Sequence, residues 1–151
     1  MRIEIDQSWK IEKFDKATII AFSNGTKGSV RISQRAKREA FALLESHYGK
    51  STLNIFRIFA AVITLLLEKY KLQPNRIVID EEYSGNGDLI IKYIKSSLSD
   101  EIDIVSGNIG KSSRAHVEAY EVFKKKRPAG FNILESEILK FLRDKYLRNK
   151  K

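Results

Sequence analysis

Cysteine is absent from this 151-residue chain. Disulfides, thiolate metal sites and cysteine nucleophiles are therefore excluded. Proline occurs only twice, and no low-complexity run, heptad or solenoid repeat is present. The chain reads as one domain, 1–151, with a single sizeable core. Long apolar runs are also missing. The longest, Ile58 to Leu67, falls well short of the ~20 residues of a membrane span and is bounded by Arg57 and Glu68. The opening Met-Arg-Ile-Glu-Ile-Asp is broken by charge at once and does not read as a signal peptide. A cytoplasmic protein with no membrane partner is the expectation. Histidine is scarce, and His47 and His116 lack the His-Glu-x-x-His spacing of a zinc site. No Gly-x-Ser-x-Gly elbow marks a hydrolase triad. No Glu-x-Lys or Asp-x-Lys triplet sits on a strand where a restriction-type nuclease needs one.

What is present in excess is positive charge, +9 overall and unevenly spread. From Lys111 to Lys151 there are 12 Lys/Arg against 5 Asp/Glu, a balance of +7. From Arg76 to Gly110 there are 3 against 7, a balance of −4. Basic residues draw phosphate from a distance, and an acidic patch beside them holds cations. The same balance also suits a solvated, Lys-rich surface of the thermophile kind.

The first third reads as strands. Arg2 to Asp6 alternates, with Ile3 and Ile5 on one face and Glu4 and Asp6 on the other. Ala17 to Phe22 and Ser29 to Ile32 follow, separated by Asn24-Gly25 and Lys27-Gly28, which predicts a three-strand antiparallel meander. Ser33 then caps a helix to about His47, with Gly49 just past its end. A second helix, Asn54 to Tyr70, is apolar nearly all round and so is expected to be buried. Arg76 to Asp80 is a fourth strand, Asp88 to about Leu98 a helix, and Ile102 to Val105 a fifth strand. Ser112 or Ser113 caps a helix to about Lys126. Asn132 with Glu135 resembles a capping box for a last helix, Ile133 to Leu147, in a basic helical C-terminal extension of about 132–151. The fold class is α/β: a mixed five-stranded sheet, meander first and two strands after, flanked by helices.

Two of these strands, Arg-Ile-Glu-Ile-Asp and Arg-Ile-Val-Ile-Asp, end in Asp6 and Asp80, and the second runs on into Glu81 and Glu82. Strands paired side by side would bring Asp6 and Asp80 to one end of the sheet. Glu82 points the same way as Asp80 if the strand continues. Such a carboxylate cluster on a basic protein suits Mg²⁺ or Mn²⁺ and the cutting of phosphodiesters. Strand-terminal acids also serve as solvated edge residues in many folds.

The element order, with Asp at the ends of the first and fourth strands, resembles the RNase H-like superfamily. Four short motifs, Asp6-Gln-Ser, Phe22-Ser-Asn-Gly25, Ile79-Asp-x-Glu-Tyr83 and Gly110-Lys-Ser-x-x-Ala-His116, resemble an uncharacterised archaeal family of that fold. Some relatives of that family look like single-strand-specific exonucleases. The resemblance covers the chain to about Lys126. It implies that the first and fourth strands are neighbours and that their carboxylates bind two divalent metals. It also implies that the helix after the fifth strand completes the site. The superfamily's common Asp is missing from that helix, which offers His116 first and Glu118 second. The resulting expectation is a metal-dependent nuclease, with single-strand-specific exonuclease as its finer form. Asp6, Asp80, Glu82 and His116 are the catalytic candidates, and Asp6, Asp80, Glu82 and Glu118 the metal ligands.

The loop Ser106 to Ser113 offers glycines, amides and Lys111 to a phosphate. It is no Walker loop, because only two residues separate Gly107 from Gly110. Lys10, Lys13, Lys111, Arg114, Lys124 and Lys125 are the candidates for contact with nucleic acid, DNA or RNA, with single strands favoured. Trp9 and Tyr83 flank the two Asp positions, where they either stack on bases or pack into the core. The readings left open are a catalytically silent nucleic-acid-binding or assembly module, and a junction-resolving enzyme, which requires a dimer. The apolar helix faces leave room for a homo-oligomer.

Overall fold

Alternation from Arg2 onward builds the first strand, and the Asn24-Gly25 turn folds the chain back to make the next pair. In the computed structural model, which describes residues 1–80, 87–99, 101–107, 109 and 113–147, β1 (Arg2–Ser8), β2 (Thr18–Ser23) and β3 (Lys27–Ile32) form an antiparallel meander. The turn between β2 and β3 is held by the Asn24 side chain, whose Oδ1 accepts from the Thr26 hydroxyl at 2.8 Å, and Gly25 supplies φ +99°. Ser33 caps α1 (Gln34–Tyr48), its Oγ accepting from Ala36 N–H at 3.1 Å, and Gly49 ends the helix at φ +74°. Next come α2 (Leu53–Lys69), β4 (Arg76–Asp80), α3 (Gly87–Ser97), β5 (Asp103–Gly107) and α4 (Arg114–Phe123). The chain closes with β6 (Phe131–Ile133), α5 (Glu135–Leu142) and one π-helical turn, Arg143–Leu147.

The six strands lie in the order β5-β4-β1-β2-β3-β6. β4 runs parallel to β1, β5 parallel to β4, and β6 parallel to β3. The expectation of an α/β fold with a mixed sheet, a meander and two later strands holds. The expected number of strands is corrected from five to six. β6 is only three residues long, too short to show a period, and its pairing with β3 depends on a distant side chain. The Tyr70 hydroxyl donates to Ser29 O and accepts from Ser29 N–H, both at 2.8 Å, while its ring meets Phe22 and Phe131 edge-on. Gly28 and Gly130 leave room for that ring, since a Cβ on either would run into Tyr70. The last helix is also capped differently from the Asn132–Glu135 expectation. Leu134 N–H donates to Glu137 Oε1 at 2.9 Å, and Lys69 holds the other oxygen of Glu137 at 2.6 Å. The segment from 132 therefore begins as strand, and α5 buries Ile138 and Leu142 in the main core.

The sheet has two unlike faces. Ile3, Ile5, Ile20, Phe22, Val30, Ile32, Ile77 and Ile79 point into a large core with α1, α2, α3 and α5. α2 lies at its centre and is buried over most of its length, as its nearly all-round apolar sequence requires. Among the described residues, the other face is covered by one helix, α4, which packs Ala119 and Val122 on Ile19 and Ala21. Covered on both sides, β2 is buried from end to end. No helix among the described residues is long and apolar enough to cross a membrane.

Candidate active site

The strict two-residue period of β1 puts Glu4, Asp6 and Ser8 on the α4 face, opposite Ile3 and Ile5. In β4 the same period puts Val78 and Asp80 on that face. The parallel register pairs Ile5 with Ile79, so Asp6 and Asp80 come next, side by side on neighbouring strands. Strands lie ~4.8 Å apart, which is close enough for the two charges to feel each other. Asp6 is not the last residue of its strand, because β1 continues to Ser8.

Asp6 is almost fully buried, at 2% exposure. Its Oδ1 accepts from the Gln7 N–H at 2.8 Å, and its Oδ2 lies 2.7 Å from Nδ1 of His116 on α4. With Asp6 ionised, that contact places the imidazole proton on Nδ1 and leaves Nε2 to accept or deliver one. Burial raises the Asp6 pKa, the His116 and Gln7 hydrogen bonds oppose the rise, and the Asp80 charge adds to it. Asp80 is half-buried, and its Oδ1 accepts from Ile109 N–H at 3.1 Å, which ties the strand end to the loop before α4. Two adjacent carboxylates, one of them desolvated, form a site that a hard cation would relieve.

The helix geometry separates the other two candidates. His116 and Glu118 are two residues apart, about 200° around α4 at 3.6 residues per turn. His116 meets β1, whereas Glu118 turns toward β3 and the chain beyond the helix. There it is buried against Arg127, whose Nε donates at 2.9 Å and whose Nη2 also contacts it, with Lys27 at 3.7 Å. Glu121 contacts the same Arg127 at 2.7 Å. The structure thus brings Asp6, Asp80 and His116 together and holds Glu118 in a separate ion-pair network. Among the described residues, no three His, Asp or Glu side chains form a metal-binding group. Glu82, Lys111, Glu81 and Tyr83 lie outside the described residues.

The basic candidates divide in the same way. Arg114 is exposed at the N-terminal end of α4, where it lines a small cleft with Arg2, Glu4, Ser23 and Asn24. Ser113 closes that end by donating to Glu4 Oε1 at 2.7 Å. Lys10 and Lys13 lie in the turn after β1, where Lys13 N–H donates to Lys10 O at 3.0 Å. Lys13 and Lys16 hold their ammonium groups over the Trp9 ring, 5.5 and 4.6 Å from its centroid. Trp9 itself stacks on Phe123 at 5.5 Å and donates from Nε1 to Asp15 at 3.0 Å, so it packs the end of α4. Lys124 and Lys125 are exposed beside it. Sequence reasoning missed Lys16, Arg31 and Phe123, which join Lys124 and Lys125 around one cleft. The only signal was Arg31, a charge on the strand face opposite Val30 and Ile32.

Comparison of the chain with models of known protein families and with curated proteins finds no match in either.

Proposed function

We propose that this chain is a nuclease of RNase H-like fold that hydrolyses nucleic-acid phosphodiester bonds with a divalent cation, Mg²⁺ or Mn²⁺. The observation that carries the reading is the convergence of Asp6 and Asp80 on adjacent parallel strands, with His116 hydrogen-bonded to the buried one. The first and fourth strands are neighbours, as the resemblance requires, and the helix after β5 supplies the third group. Asp6 and Asp80, with Glu82 beyond the strand, have the oxygen chemistry to hold the metal. When bound, the metal supplies charge at the scissile phosphate and an acidified water. Asp6 fixes the His116 ring through Nδ1, so that Nε2 is the nitrogen left to carry a proton to or from the reacting oxygens.

A second reading is a catalytically silent nucleic-acid-binding module of the same fold. It is favoured by the commitment of Glu118 to Arg127 and Lys27, which removes one expected carboxylate from the metal set. The deciding experiment is cleavage of end-labelled single- and double-stranded DNA and RNA with Mg²⁺, Mn²⁺ or EDTA. Asp80→Asn is assayed alongside. The nuclease reading expects metal-dependent cutting that the variant loses by at least the ~10–100-fold that even an outer-shell partner costs. Binding without cutting, equal in both proteins and indifferent to EDTA, establishes the silent module instead.

A further inference from the structure

Behind the Trp9–Phe123 stack, a cleft of about 400 Å³ opens between the C-terminal end of α4 and strands β2 and β3. Lys16, Arg31, Lys124 and Lys125 line it, with Gln34 and the Phe123 ring, and no carboxylate does. Among the described residues, none of these four cations is in an ion pair. Arg127, only two residues beyond Lys125, is held by both Glu118 and Glu121. Glu118 and Glu121 are therefore engaged by a neighbour, and the lining of the cleft carries only positive charge.

Its backbone points the same way. α4 ends with Lys125 N–H on Val122 O and Lys126 N–H on Glu121 O, both at 3.0 Å, and Lys125 takes φ +62°. That position favours glycine, so a lysine there adds charge to the cleft at the expense of backbone strain. Lys16 covers the aromatic pair, 4.6 Å from the Trp9 centroid and 5.6 Å from that of Phe123.

The cleft shares the α4 face with Asp6. Ser8 pairs with Ile19 and Ile19 with Arg31, so Arg31 sits two strands across and two residues along from Asp6. Strand spacing and rise make this about 12 Å. A stacked strand covers that distance in three or four nucleotides at ~3.4 Å each.

We propose that this cleft binds the phosphodiester backbone of a single-stranded nucleic acid and guides it toward Asp6 and Asp80. The inference rests on the proposed nucleic-acid substrate, but not on cleavage. Cations beside aromatic rings are how single strands are held without sequence preference.

The test uses the whole chain in EDTA, so that binding is read without cutting. Trp9 is the only tryptophan, and its emission reports on the cleft through Lys16 and Phe123, which touch its ring and line the cleft. A dodecathymidylate is titrated over a range of salt, with a twelve-base-pair duplex and inorganic phosphate as comparison probes. The expected result is a Trp9 emission change with the single strand, weaker binding of the duplex, and a linear fall of log K with log salt. Arg31→Gln and Lys125→Gly each make that slope shallower by about 0.7, the value for one single-strand phosphate contact. Lys125→Gly relieves the left-handed strain, so its loss of binding is not a folding defect. Wild-type affinity and slope in both variants overturn the cleft as the strand's path, as does equal or tighter binding of the duplex. The two proposals fail separately. Metal-dependent cutting that survives both substitutions spares the nuclease and removes the cleft, while cleft binding without any cutting does the reverse.

Discussion

The two faces of the sheet solve different problems. One is covered by four helices and filled with Ile, Leu, Val and Phe, and polar groups there are few. Among the described residues, the other is covered by one helix, α4. Its strands present Glu4, Asp6, Arg31 and Asp80, its helix presents His116 and Glu118, and Arg127 follows just beyond the helix. The apolar face supplies the stability that the α4 face uses up in burying a carboxylate and leaving cations unpaired. Chemistry and stability therefore separate by face, and substitutions on the two faces are expected to differ in sign.

The largest effect is expected in the apolar core. Phe59 on α2 is 1% exposed, and Phe59→Ala removes a fully packed ring. Its cost is about 3–5 kcal/mol in urea unfolding, with no change in the metal dependence of any remaining activity. A loss under ~1 kcal/mol breaks the comparison, because α2 is then not the centre of the core.

A middle-sized effect is expected at Lys37, a buried cation on α1. Its ammonium donates to Lys13 O at 2.5 Å, Lys16 O at 2.6 Å and the Thr18 hydroxyl at 3.0 Å. It thereby pins the loop that carries Trp9 and Lys16 to the four-helix side. Lys37→Met strands those oxygens and costs about 2–3 kcal/mol. Burial lowers the Lys37 pKa to about 8, from 10.5. The folded state thus gives up this proton more readily than the unfolded one. The charged ammonium is a cost below pH 8, and that cost is recovered as pH rises from 8 to 10.5. The stability gap between wild type and Lys37→Met should widen over that window in urea melts. A constant gap means that Lys37 is solvated and the loop is not anchored through it.

Much of the apolar side was legible in the sequence because periodicity reports burial. The two-residue period of Arg2 to Asp6, the all-round apolar α2 and the Ser33 cap each reappear close to where they were read. The same period also placed Asp6 and Asp80 on one face. What local pattern could not carry was convergence from far along the chain. Tyr70 clamps a three-residue strand 60 positions later, and Lys16, Arg31 and Lys125 meet only when β2, β3 and α4 are assembled. Glu118 shows the limit from the other side. Near His116 in sequence, it is turned away by the helix and finds Arg127, nine residues further along the chain.

The smallest effect has the opposite sign and tests the α4 face directly. Asp6→Asn keeps an oxygen for the Gln7 N–H and turns His116 Nδ1 into an acceptor, so the contacts survive while the buried charge is removed. Because the Asp6 pKa is raised in the folded state, its ionised form weakens the fold at neutral pH. That cost lessens as pH falls through the raised value and is gone below 3.8, the ordinary carboxylate value. In EDTA at pH 7, Asp6→Asn should therefore melt higher than wild type by roughly 2–4 °C, about 1 kcal/mol in a chain of this length. The difference should shrink as pH falls toward 4. Added Mg²⁺ should raise the wild-type midpoint by mass action and leave the variant behind, closing or reversing the gap. If Asp6→Asn is destabilised in EDTA, the carboxylate is part of the structural core, and the division of labour between the two faces is lost. If it is stabilised but Mg²⁺ moves neither protein, the face carries a strained charge with no cation to use it, and the silent binding module becomes the better account.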